Sequence, residues 1–189
     1  MPTRLAEREA LEFARTKEAW IRKHLAARGV DVTVGIGAEI PVGGQMLPVR
    51  AGSGRKVQIL PDAIAVPGAA ERVGKRLQSY LREVARDRLA GACDDYAARL
   101  GKPYARLTMR DTRSRWGSCT SDGGLMFSWR LIMTPPEVLD YVAAHEVAHL
   151  AQMNHSPAFW AEVERIYGPY KAPRKWLRQH GSDLHRYQF

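Results

Sequence analysis

Cysteine is scarce in this chain, with only Cys93 and Cys119 among 189 residues. Two thiols cannot build a disulfide framework, so stability has to come from a buried core, and both are expected as free thiols in a reducing compartment. Long apolar runs are missing too. No stretch reaches the roughly eighteen consecutive apolar residues of a membrane span, and the start, Met1-Pro-Thr-Arg-Leu-Ala-Glu7, lacks the apolar segment of a secretory signal. A soluble cytoplasmic protein is the expectation. There is no Walker-type glycine loop, no nucleic-acid-binding motif and no long basic block.

What is present suits a domain that folds on apolar burial, with 45% apolar residues in a chain long enough to bury a core. The formal net charge is +9, from 29 basic against 20 acidic residues. Such a surplus is compatible with a nucleic acid or other polyanionic partner, and equally with a solvated surface.

Texture changes along the chain divide it. Leu5, Phe13, Ala14, Trp20, Ile21 and Leu25 form an imperfect helical stripe that stops at Gly29. From Val30 to Pro67, short β-rich runs broken by Gly43-Gly44 and Pro61-Asp62 predict two hairpins or a small meander. Residues 1–67 are therefore expected as a helix-plus-hairpin appendage, and 68–189 as the main domain. Val73, Leu77, Leu81, Val84, Leu89, Ala92, Tyr96 and Leu100 predict the longest helix, closed by Gly101 and Pro103. Strands are expected at Ala105–Arg110, Ser114–Cys119 and Leu125–Leu131, the last two joined as a hairpin through Ser121-Asp-Gly-Gly124. Pro135-Pro136 after Thr134, a suitable N-cap, opens a further helix.

That helix carries His145-Glu-Val-Ala-His149. Residues four apart lie on one helical face, so two imidazoles can reach one metal ion, and Glu146 is the adjacent carboxylate able to take a proton from water that the metal activates. Tyr141, one turn earlier, shares their side. It reads either as a packed aromatic or as part of the site rim. A hydrolytic metal site needs a third protein ligand. His155 is the best candidate, since Asn154 can end a helix in the left-handed conformation and Ser156-Pro157 can start the next. Glu162, Glu164, His180 and His185 are the alternatives. The spacing of the three histidines equals the metzincin pattern, but Gln152 stands where that pattern has glycine, and no methionine follows Met153 to make its later turn.

Arg115-Trp-Gly-Ser-Cys119, Phe127-Ser-Trp-Arg-Leu131, Pro136 with Asp140-Tyr141, His145-Glu-Val-Ala-His149, Asn154-His-Ser156 and Phe159-Trp160 occur in the same order as in a known family. The chain resembles the YgjP-like family of zinc metallopeptidases, akin to SprT-like metalloproteases, most closely from about Tyr104 to Trp176. The resemblance implies an α+β, zincin-like fold: a small, mostly antiparallel sheet packed on helices, with the metal-binding helix under an edge-strand cleft. It also implies Zn²⁺ on His145, His149 and His155, with Glu146 as general base. Residues 68–189 then correspond to the catalytic domain, and a protein or peptide is the expected substrate.

Within Arg115–Cys119, Trp116, Gly117 and Ser118 are candidates for contacting an extended substrate, because glycine in an edge strand lets another backbone come close. The alternative is that Trp116 packs and Gly117 marks a bulge. Arg113 and Arg115, with Arg110, could steer an anionic substrate or pair with Asp111 and Asp122. Cys119 as a nucleophile would need a histidine that the metal reading already uses. Two other functions use the same residues: a metal-dependent nucleotide or phosphate ester hydrolase, and a DNA-associated binding protein with a structural metal.

Overall fold

Leu77, Leu81, Ala85, Leu89 and Cys93 recur every four residues along helix α2 (Val73–Leu100), and all five are fully buried. Burying each leucine is worth about 1.5–3 kcal/mol, which makes this helix the spine of the core. Gly101 closes it in the left-handed conformation (φ 76°), its N–H donating to the Ala97 carbonyl at 2.9 Å. The computed structural model describes residues 7–19, 22 and 29–189. They belong to two units, Met1–Asp31 and Val32–Phe189.

In the first unit the described helix is α1 (Glu7–Thr16), with Glu7 and Glu9 in its first turn and Arg15 in its last, the polarity the helix dipole favours. Trp20, Ile21 and Leu25 of the expected stripe lie outside the described residues, as does His24.

The second unit opens with β1 (Val32–Thr33), then β2 (Glu39–Val42), β3 (Gln45–Ala51), β4 (Gln58–Ile59) and β5 (Ile64–Val66). The last four form one sheet in the order β2-β3-β5-β4. Its two hairpins turn at Gly43-Gly44, both with positive φ, and at Pro61-Asp62, and β3 and β5 join them in parallel. After α2 come β6 (Arg106–Arg110), β7 (Gly117–Cys119) and β8 (Gly124–Ser128), in the order β6-β8-β7. A buried 3-10 turn (Trp129–Met133) leads into α3 (Pro136–Ala148), α4 (Pro157–Tyr167) and α5 (Lys171–His180). A second 3-10 segment (Gly181–Arg186) ends in β9 (Tyr187–Gln188), which pairs in parallel with β1.

The architecture is α+β, with small sheets packed on helices. The pairing is more mixed than the mostly antiparallel sheet expected: three of the six ladders are parallel among the described residues. The cause is visible in the motif half. The chain leaves β6, crosses to lay β7 at the far edge, and returns through the hairpin to place β8 in the middle, so β6 and β8 run parallel. Consequently the outer side of β7 has no strand partner among the described residues.

Two local expectations are corrected. Thr134 does not cap α3: its hydroxyl donates to the Leu131 carbonyl at 2.7 Å, and Pro135 occupies the cap position. Asn154 is not left-handed either, since among the described residues only glycines have positive φ.

Candidate active site

Helix α3 buries Val138, Leu139, Val142, Ala143 and Val147 in the core, and this fixes the rotation that brings His145 and His149 to one side. Its last helical residue is Ala148, with His149 at the cap. The chain then turns sharply, the N–H groups of Leu150 and Ala151 donating to the Val147 and Ala148 carbonyls at 2.9 and 3.0 Å. Asn154 Oδ1 accepts from the Ser156 N–H at 3.1 Å, and Ser156 Oγ accepts from the Phe159 N–H at 3.4 Å, so the turn is tied by side chains into the start of α4. This is what aims His155 back toward the helix.

His145, His149 and His155 each offer a ring nitrogen, and these atoms all lie within 4.8 Å of one another. His145 Nε2 and His155 Nε2 are 3.1 Å apart. Two nitrogens sharing one tetrahedral ion at usual zinc–nitrogen lengths would be about 3.3 Å apart, so the spacing fits a common metal. His149 Nδ1 lies 2.9 Å from the Gln152 carbonyl, which acts as an orienting partner. His149 is buried and His145 half-buried. Burial, reinforced by the neighbouring histidines and Arg174, pushes the His145 pKa down to about 3. Burial also lowers that of His149, against the pull of the Gln152 carbonyl. Both imidazoles are therefore neutral at pH 7 and keep a lone pair for a cation.

Phe159 is the wedge behind this cluster. Fully buried, it stacks on His149 (centroids 4.4 Å apart) and meets His145 and His155 edge-on at 4.9 and 4.8 Å. Trp160 stacks on His155 and on Tyr170, with the Arg174 guanidinium 4.3 Å over its ring. Sequence reasoning did not assign Phe159, Tyr170 or Arg174 to the site. The available signal was the Phe159-Trp160 pair, one turn after His155 on a helix opened by Pro157.

Glu146 is only 6% exposed, and burial raises its pKa to about 8, opposed by the positive charge of Arg115. Its carboxylate lies directly against β7: a Cβ at Gly117 would stand 2.6 Å from both Cγ and Oε1. The sequence offers Gly117 for the approach of a substrate backbone; the group found against it is the side chain of the motif glutamate. Cys119, also on β7, has its thiol pushed up to about 11, by burial first and by Glu146 second, which leaves no thiolate for nucleophilic chemistry at neutral pH.

The remaining sequence candidates separate. Trp116 stacks on His185 at 5.3 Å and touches Gly181, packing on the C-terminal segment. Tyr141 is buried, its ring meeting His145 at 5.8 Å and stacking on Tyr170. Ser118 stands on the opposite face of β7 from Gly117 and, with Arg115, lines a hollow on the outer face of the sheet. Arg113 is exposed and lines neither the histidine cluster nor that hollow. The acidic neighbours expected for the arginine cluster are taken, Asp111 by Arg130 at 2.7 Å and Asp122 by Arg106 at 2.8 Å. None of the alternative third ligands joins the cluster: Glu162 pairs with Arg165, and His180 lies against Trp176.

A family model described as YgjP-like, metallopeptidase domain, matches residues 1–180. The chain belongs to the YgjP-like metallopeptidase family. A metal-dependent hydrolase acting on peptides is what membership implies, and the three converging histidines can supply the metal site. Comparison with curated proteins gives no match. Among solved structures, the crystal structure of the metallopeptidase zymogen of Pyrococcus abyssi abylysin is similar, with TM-score 0.44 and 19% identity over 53% of this chain and 99% of that one. Among the described residues of this YgjP-like chain, no helix is long and apolar enough to cross a membrane.

Proposed function

We propose that this YgjP-like protein is a zinc-dependent peptidase in which His145, His149 and His155 hold the ion and Glu146 is the general base. The observation that carries the reading is the convergence of three ligand-capable histidines, with Glu146, next in sequence to His145, buried against Gly117 of an edge strand. Three nitrogen donors suit zinc and leave a fourth position open to water or substrate, whereas a structural site closes all four. A zinc ion held there supplies Lewis acidity toward a carbonyl oxygen and toward water.

The protein's own groups do the rest. Glu146 accepts a proton from the attacking water and passes it to the leaving amine. With a dication alongside, the Glu146 carboxyl titrates lower than burial alone would leave it, and so is available as a base near neutral pH. The outer edge of β7 offers backbone N–H and C=O groups to an extended peptide, and Gly117 lets that strand sit against the glutamate. Arg174, over Trp160 and without a carboxylate partner among the described residues, is a positive charge on α5 that acts on His145 and would favour developing negative charge.

Glu146→Gln tests the assignment. The variant should keep stoichiometric metal and lose peptide hydrolysis by about 10²- to 10⁴-fold. Turnover at the normal rate would refute it. Offering the metal-loaded protein both peptides and nucleoside triphosphates separates this reading from a nucleotide hydrolase, because cleavage of the triphosphates alone would favour the latter.

A further inference from the structure

The hollow on the outer face of the β6-β8-β7 sheet has a volume of about 390 Å³ and is lined by Arg106, Thr108, Arg110, Thr112, Arg115 and Ser118, among others. No carboxylate lines it. Arg106 is neutralised by Asp122, but Arg110 and Arg115 have no ion-pair partner among the described residues, because Asp111 is committed to Arg130. Arg110 thus lines this hollow without a paired carboxylate, and Arg115, whose charge also acts on Glu146, lines it too, both set among hydroxyls that accept and donate hydrogen bonds.

Pleating connects this face to the site. Along β7, Gly117 turns toward Glu146 while Ser118 turns to the hollow. A peptide added at the open edge of β7 continues the pleat, so alternate side chains stand on the α3 side and on the Ser118 side. Arg115 immediately precedes β7, and Arg110 lies on β6 across the sheet, so that both line the hollow on this face.

We infer that the peptide substrate carries acidic side chains at alternate positions, facing the outer hollow formed by Arg110, Arg115 and Ser118. This rests on the peptidase reading and specifies the substrate class of that same site. A nucleic acid could also be drawn to a basic face, but the hollow is lined by no aromatic ring on which a base could stack, so the acidic peptide is the better fit.

The test uses the full chain loaded with zinc and two sets of fluorogenic extended peptides, with the scissile bond located from product masses. In each set Glu, Ala or Lys occupies alternate positions, and the two sets differ in parity relative to the cleaved bond. In one parity only, kcat/KM should fall in the order Glu, Ala, Lys over about tenfold, and the spread should shrink in high salt. Arg110→Glu, at an exposed position, should remove most of the Glu-to-Lys preference in that parity. Equal preference in both parities, no preference, or a ratio indifferent to Arg110→Glu would overturn the inference while leaving the peptidase reading intact. Failure to cleave any of the peptides would remove both. A single-stranded oligonucleotide that binds through Arg110 and Arg115, with no parity effect on peptides, would overturn it in favour of a nucleic acid.

Discussion

Glu146 is buried against the backbone of Gly117, so close that a methyl group on that α-carbon would stand 2.6 Å from its Cγ and its Oε1. Because the glutamate is almost fully enclosed, it has little room to give way. Gly117→Ala should therefore displace the carboxylate or the strand, costing about 1–3 kcal/mol of stability. Peptide hydrolysis should fall by at least about tenfold while metal content is retained. Measuring kcat/KM beside zinc stoichiometry checks this, and a fully active alanine variant would show that the contact does not position the base.

His155 is exposed and contributes little to the core, so His155→Ala should leave the thermal midpoint of the metal-free protein within a few degrees of wild type. Its effect should appear on metal addition. A ligand present at one hundred times its Kd stabilises the folded state by about 2.7 kcal/mol. The variant should need at least about tenfold more zinc to reach the same midpoint. Equal zinc dependence in the two proteins would remove His155 from the site.

Asp111 and Arg130 tie the chain end to the sheet, since Arg130 also donates to the Leu184 and Tyr187 carbonyls at 2.8 and 3.0 Å. Burial pushes the Asp111 carboxyl up, but the hydrogen bond and charge of Arg130 more than offset it, so the folded-state pKa lies below the ordinary value. The contribution is thus complete above about pH 4 and is lost as pH falls through the lowered folded value. Asp111→Asn should cost about 1–2 kcal/mol at pH 7, discounted because the carboxylate is partly exposed. The gap between variant and wild type in urea unfolding should narrow toward pH 3, and a gap constant with pH would contradict the assignment.

Burial raises the Cys93 pKa to about 12, and that of Cys119 to about 11. At pH 8 the native protein should show no fast-reacting thiol, and two after unfolding in denaturant. A rapid native equivalent of labelling would mean that one of them is held as a thiolate.

Local pattern determined much of this protein. The four-residue recurrence from Leu77 to Cys93 specifies α2, Gly43-Gly44 specifies a hairpin, and the spacing of His145 and His149 on a helix specifies one chemical face, because each depends only on helix or strand periodicity and on turn stereochemistry. Ser156-Pro157 likewise marks the start of α4. The tertiary structure decided what depends on contacts between residues distant in sequence. It set β7 at an edge and paired β6 with β8 in parallel, sent Asp111 to Arg130 instead of its own arginine neighbours, and slid Phe159 behind the histidines. It also brought Gly117 onto Glu146. A glycine records only that something comes near, and which group comes near is settled when sheet and helix pack together to exclude water from the core.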